Sequence, residues 1–234
     1  MNLHELLERI YIEHIGQFER SNVFQCFESG ELTQEFYDEF IINLCQAHLK
    51  SPQILAFLYA VSPPRVAPLI QHNMIEELGL DEQGISHPML LHKLAKEAAL
   101  KVDMPQLETS AQEELRCMCS EPLLYGTLKE LGLAVLLEVT CFEWMLARLA
   151  TRFSRALAER RGLSSDALEW FSHHAEVDIR HAEEGLDSVV DYVDYYSFSS
   201  EDLDAIIDIT FRENIFIKRY FGTITLATKM SIIG

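Results

Sequence analysis

Between residues 173 and 184 the chain reads HHAEVDIRHAEE, a run with three histidines, one aspartate and three glutamates. On a helix of 3.6 residues per turn, His174, Asp178 and His181 fall at about 0°, 40° and −20°, an arc of roughly 60°. Two neutral imidazoles and a carboxylate converging from one helix offer nitrogen and oxygen ligands of the kind that suit iron, manganese or zinc. His173, Glu176 and Glu183 fall off that arc, where solvent and Arg180 can serve them, so His173 is expected to be dispensable. Any one of these residues alone reads as part of a solvated face. Three metal-capable residues on one arc read as half of a metal site.

The other half has to come from elsewhere in the chain. LGLAVLLEVTCFEWMLARL (131–149) is apolar nearly all round but carries Glu138 and Glu143. An unpaired carboxylate buried there would cost several kcal/mol, so each needs compensation. The two lie about 140° apart on a helix and cannot both face one centre. One is expected to be a ligand and the other to snorkel or to pair. A third region, NMIEELGLDEQGISHP (73–88), ends one helix on Glu76 and Glu77 and begins the next at His87. Its glycines can fold His87 back beside Glu76.

These residues have to be positioned by helices. Leu3, Leu6, Leu7, Ile10, Ile15 and Phe18 follow a helical period over 3–20, and Thr33 caps a helix over 34–61 that is bent or broken near Ser51-Pro52. SPPRVAP opens a helix ending at Gly79, and Ser86-His87-Pro88 opens the next. The chain from about 110 to 161 reads as helical, with a break near Ser120-Glu121-Pro122, and Gly162 closes it. Ser164 or Ser165 begins a helix through the histidine run to about 195, and Ser199 or Ser200 a last one to about 229. No period-two alternation is present, so the expected fold class is all-α, a bundle of about seven helices in a single domain over 1–234.

Composition limits the function. Acidic residues number 37 against 19 basic, a net charge of −18, which disfavours nucleic acid and anionic membranes as partners. Five cysteines without paired spacing, and an N-terminus without the regions of a signal peptide, fit the cytoplasm. Cys117-Met-Cys119 lacks the spacing of a zinc site and reads as ordinary packing. The most apolar stretch, interrupted by Glu138 and Glu143, is too short for a membrane span.

Taken in order, Asn73-x-x-Glu76-Glu77-x-Gly79, His87-Pro88, Phe142-Glu143 and His174-x3-Asp178-x2-His181 resemble the motifs of the heme-oxygenase-like di-iron oxidases and oxygenases. The resemblance spans roughly residues 22–195. It implies the fold shared by heme oxygenase, the TenA thiaminases and the PQQ-synthesising oxidase. It also implies six metal ligands: Glu76, His87, Glu143, His174, Asp178 and His181. Two iron ions, or a manganese–iron pair, would be the cofactor and O2 the co-substrate. Three carboxylates neutralise most of the charge of two ferrous ions, and three imidazoles leave open positions for O2, reduced to a bound peroxo that oxidises a small-molecule substrate. An external electron donor and a second copy of the chain are compatible partners.

A substrate pocket is expected beside the metals, lined by Phe24, Tyr37, Ile41 and Leu44, residues that equally suit a core. One family member forms p-aminobenzoate from its own tyrosine with the help of a lysine. Those positions hold Phe24 and Phe153 here, which argues against a cleavable internal tyrosine. Two other readings stand beside the oxidase: a metal-free enzyme of the same fold, and a non-enzymatic module that engages a partner protein.

Overall fold

The computed structural model of the chain describes residues 2–120 and 126–222, with side chains for all of these except Ser120 and residues 176–180. The described residues contain no strand. They form ten α-helices: α1 (Leu3–Glu19), α2 (Asn22–Ser29), α3 (Gln34–His48), α4 (Ser51–Val61), α5 (Ala67–Glu77), α6 (His87–Glu97), α7 (Met104–Ser120), α8 (Leu128–Arg161), α9 (Glu169–Tyr196) and α10 (Ser200–Phe211). A π-helical turn follows at Ile217–Phe221.

Local chemistry sets most of these boundaries. Asn2 and Glu5 form a reciprocal capping box on α1, and Thr127 and Glu130 form another on α8. Gly30 and Gly162 stop α2 and α8 in the left-handed conformation. The bend or break expected at Ser51-Pro52 is a full break between α3 and α4, with proline in the first turn of α4. The helix expected to run on from Ser199 stops at Phe211. Residues 223–229 of that expectation, and the break at residues 121–125, lie outside the described residues. The five cysteines are free thiols.

The long helices α8 and α9 make the most extensive pairing in the bundle. Their close approach depends on glycine. A Cβ at Gly185 of α9 would come within 2.5 Å of Thr140 Cγ2 on α8. Gly185→Val is therefore expected to destabilise by about 2 kcal/mol through overpacking, read as a lower urea midpoint with an unchanged slope.

The core beside α8 is aromatic. Phe24 and Phe153 pack edge to face with ring centroids 5.4 Å apart, and Tyr37 donates its hydroxyl to the Phe27 carbonyl at 2.8 Å. Phe24, Tyr37, Ile41 and Leu44, the expected pocket lining, are fully buried here.

The C-terminal part is tied to α1 by His14, whose Nε2 accepts the Ile215 backbone N–H at 3.0 Å. Burial pushes this imidazole down to about 4. It binds its proton more readily in the unfolded chain, so its share of stability is present above about pH 6.5 and is lost as pH falls toward 4. Between pH 7 and 5 that share amounts to about 2 kcal/mol. Urea titrations at the two pH values should show a correspondingly smaller drop for His14→Gln than for wild type.

Candidate metal centre

The site is assembled where the end of α5 and the start of α6 meet the middle of α9. Gly79 closes α5 in a positive-φ conformation (φ 66°), with the Leu80 N–H donating to the Ile75 carbonyl and the Gly79 N–H to the Glu76 carbonyl. A Cβ there would lie 2.6 Å from the Ser86 backbone nitrogen, so only glycine lets the loop fold back this tightly. The fold-back places His87, the first residue of α6, against the last turn of α5.

The carboxylate it reaches is Glu77. His87 Nδ1 lies 2.8 Å from Glu77 Oε1, and His174 Nε2 lies 3.8 Å from the same oxygen. Ligand atoms of Glu77, His87 and His174 all lie within 4.8 Å of one another. Both imidazoles are buried, 2% and 4% exposed. Burial by itself would raise the Glu77 carboxyl, but the neighbouring His87 and His174 outweigh it and hold the group well below the usual carboxylate range.

The tautomers suit a metal. Carboxylate and carbonyl oxygens only accept, so His87 Nδ1 donates to Glu77, and His174 Nδ1 donates to the Trp170 carbonyl at 2.8 Å. Held this way, His174 turns Nε2 toward Glu77 Oε1, and a metal taken up by Glu77 and His87 would replace the proton between them. His87 Nε2 is buried with no hydrogen-bond partner among the described residues, an orphaned polar atom within the cluster. An imidazole whose second nitrogen donates to a carboxylate or a carbonyl is the usual support of a metal ligand. Ser51 of α4 donates to Glu77 Oε2 and holds the carboxylate from its other side.

Glu76, expected beside His87, is directed elsewhere. Consecutive helical residues diverge by about 100°, and Glu76 Oε2 lies 2.6 Å from His181 Nε2 and 3.5 Å from His72 Nδ1. Glu143 accepts from Asn73 Nδ2 at 2.6 Å, which ties α8 to α5. Glu138 is paired with Arg219 of the π-helical turn, Nε to Oε1 2.8 Å, and the same guanidinium also meets Glu114. Asp178 lies on α9, and its side chain is outside the described residues. His173 is half-buried rather than solvated, its ring edge-on to His87 with centroids 4.6 Å apart. The start of α6 packs between adjacent positions of α9, which the helical wheel of α9 alone does not contain.

Three cavities flank this assembly, one lined by Glu76, His87, His173 and His181 and the other two reaching Glu143. The larger of those two, of about 70 Å³, touches Glu77, His174, Asn73 and Glu143 and is walled by apolar residues such as Ile54, Leu55 and Phe142. None of Phe24, Tyr37, Ile41 and Leu44 lines it. The second touches Asn73 and Glu143 again, together with His181. Sequence reasoning missed Glu77, Asn73, Ser51 and His48 as parts of the site. Asn73 stands one turn before the two glutamates, a spacing that places it on their side of α5, whereas Ser51 and His48 carry no such signal.

Fold and site together define a helical bundle with a buried carboxylate–imidazole centre of the kind that holds a divalent transition metal. Residues 38–207 match the family of iron-containing redox enzymes within the heme-oxygenase-like group, and the chain belongs to that family. Its class is therefore oxidoreductase, with iron as the metal the family name implies. Comparison with curated proteins finds no match. No helix among the described residues is long and apolar enough to cross a membrane.

Proposed function

We propose that the chain is a non-haem di-iron oxidase or oxygenase that uses O2 on a small molecule. The observation that carries this reading is the place of Glu143. With Asn73, it lines both the cavity of Glu77 and His174 and one of the two cavities that His181 lines. His174 and His181 stand seven residues apart, about 10 Å along α9. A carboxylate reaching both spaces is what a paired centre requires, and one mononuclear site would leave the Glu76–His181 pair without a role.

In this reading Glu77, His87 and His174 hold one ion, Glu76, Asp178 and His181 belong to the second, and Glu143 serves both. The ferrous ions, when bound, supply electrons to O2. The protein orients His174 through Trp170, fixes the carboxylates through Ser51 and Asn73, and keeps bulk water from a largely apolar chamber. A manganese–iron pair, an external electron donor and a dimeric state in the cytoplasm are compatible with the same arrangement.

Anaerobic loading with Fe(II) is expected to give about two irons per chain and, on mixing with O2, a transient visible absorbance. Turnover by metal-stripped protein that is insensitive to chelators would instead establish the metal-free reading.

A further inference from the structure

We infer that His48 receives the polar group of the substrate, and that the substrate is a small, largely apolar molecule carrying an uncharged hydroxyl-type group. The inference rests on reading the larger cavity as the substrate chamber of the proposed oxidase.

His48 ends α3 and lines that cavity together with Glu77 and His174. Its ring is wedged between Trp170 and Phe142, with centroids 5.1 and 5.5 Å away. Nε2 lies 2.8 Å from the Tyr220 hydroxyl, and Tyr220 is the one hydrogen-bonding partner His48 has among the described residues. Nδ1 is left over. The other polar side chains of the chamber are engaged: Ser51 with Glu77, Asn73 with Glu143, Glu138 with Arg219. The remaining wall, including Ala47, Ile54, Leu55 and Leu146, is apolar.

The chemistry of the ligand follows from this inventory. Burial, with a smaller contribution from His174, pushes the His48 imidazole down to about 3, so the ring is neutral at physiological pH. A neutral imidazole has one N–H and one lone pair, and the Tyr220 hydroxyl occupies one of them. A hydroxyl on the ligand donates and accepts, so it satisfies Nδ1 in either tautomer. A carboxylate placed at His48 would share the chamber with the carboxylates of Glu77 and Glu143 and find no free counter-charge among the described residues that line it, because Arg219 is already paired with Glu138 and Glu114.

The test uses the metal-free full chain with two probes of equal length: 1-butanol and butyrate. Binding is followed through the side-chain nitrogen resonances of 15N-histidine-labelled protein, the His48 signals being assigned by their absence in His48→Gln. The expected result is a saturable shift of the His48 ring nitrogens with 1-butanol and at least tenfold weaker binding of butyrate. His48→Phe, which keeps an aromatic ring between Trp170 and Phe142, should bind 1-butanol about fivefold more weakly. Butyrate binding as tightly as the alcohol overturns the inference, as does a His48 signal unmoved at saturating 1-butanol. The wild-type titration decides even if His48→Phe does not fold. Iron plays no part in the measurement. Absent iron retention with an intact 1-butanol response would sink the di-iron reading alone, and the converse would sink only the role of His48.

Discussion

Replacing His174 by alanine is expected to reduce retained iron by at least about tenfold, and Glu77→Ala is expected to do the same. Substituting groups that merely orient ligands commonly lowers metal affinity by about 10–100-fold, so loss of a ligand should cost at least that much. The two variants test one geometric claim, that Glu77 Oε1 is the atom addressed by both His87 and His174. His173→Ala is the control. Its ring touches His87 but lies off the His174 face of α9, and iron content should stay within about twofold of wild type. Metal analysis of protein loaded anaerobically with Fe(II) and desalted reads all three. If His174→Ala holds as much iron as wild type, the cluster is a buried polar network and not a metal centre. Ser51→Ala should fall between, because the carboxylate keeps its position on the His87 side but loses its hold on Oε2.

Arg219→Ala is expected to destabilise the chain by about 3–5 kcal/mol, the usual consequence of leaving one partner of a buried ion pair uncompensated. The Arg219 side chain is only 6% exposed, and its removal strands Glu138, 12% exposed, beside an apolar helix. In a chain of this size that loss corresponds to roughly 10 °C in melting temperature. Adding Glu138→Gln to Arg219→Ala should recover part of the loss, because the stranded charge is then gone, and a double-mutant cycle measures the coupling. A change below about 1 kcal/mol in Arg219→Ala would show that water reaches the pair and screens it. The same pairing explains how one helix carries two carboxylates in its apolar stretch. Glu138 is compensated by an arginine some eighty residues later in the chain, and Glu143 by Asn73 and the candidate metal centre.

Much of the architecture was legible without coordinates because its signals are local. Helix-stopping glycines and proline in first turns depend on chain neighbours and placed the ends of α5 and α8 and the start of α6, while the apolar period of residues 3–20 placed α1. The same locality made His174 and His181 readable, since residues on one helix have angles fixed by spacing. It failed where the chain passes between short helices. Asn22–Ser29 is a helix of its own, and the expected helix from Ser199 ends at Phe211. In such short segments packing against neighbours outweighs propensity.

By itself, then, the sequence determined the helical class, the histidine arc of α9, the presence of compensated carboxylates in α8 and the fold-back of His87, each of which rests on spacing or backbone stereochemistry. Tertiary structure alone decided which of two adjacent glutamates meets His87, which of two carboxylates on α8 pairs with Arg219, and that the chamber is walled by α4 and α8 rather than by Phe24, Tyr37, Ile41 and Leu44. The physical reason is that neighbouring helical residues differ by only about 100° in direction. The rotation of α5 or α8 about its axis decides which of its two carboxylates faces the centre. Those rotations are set by how distant surfaces interlock, at contacts such as Gly185 against Thr140, and not by the residues next to the site.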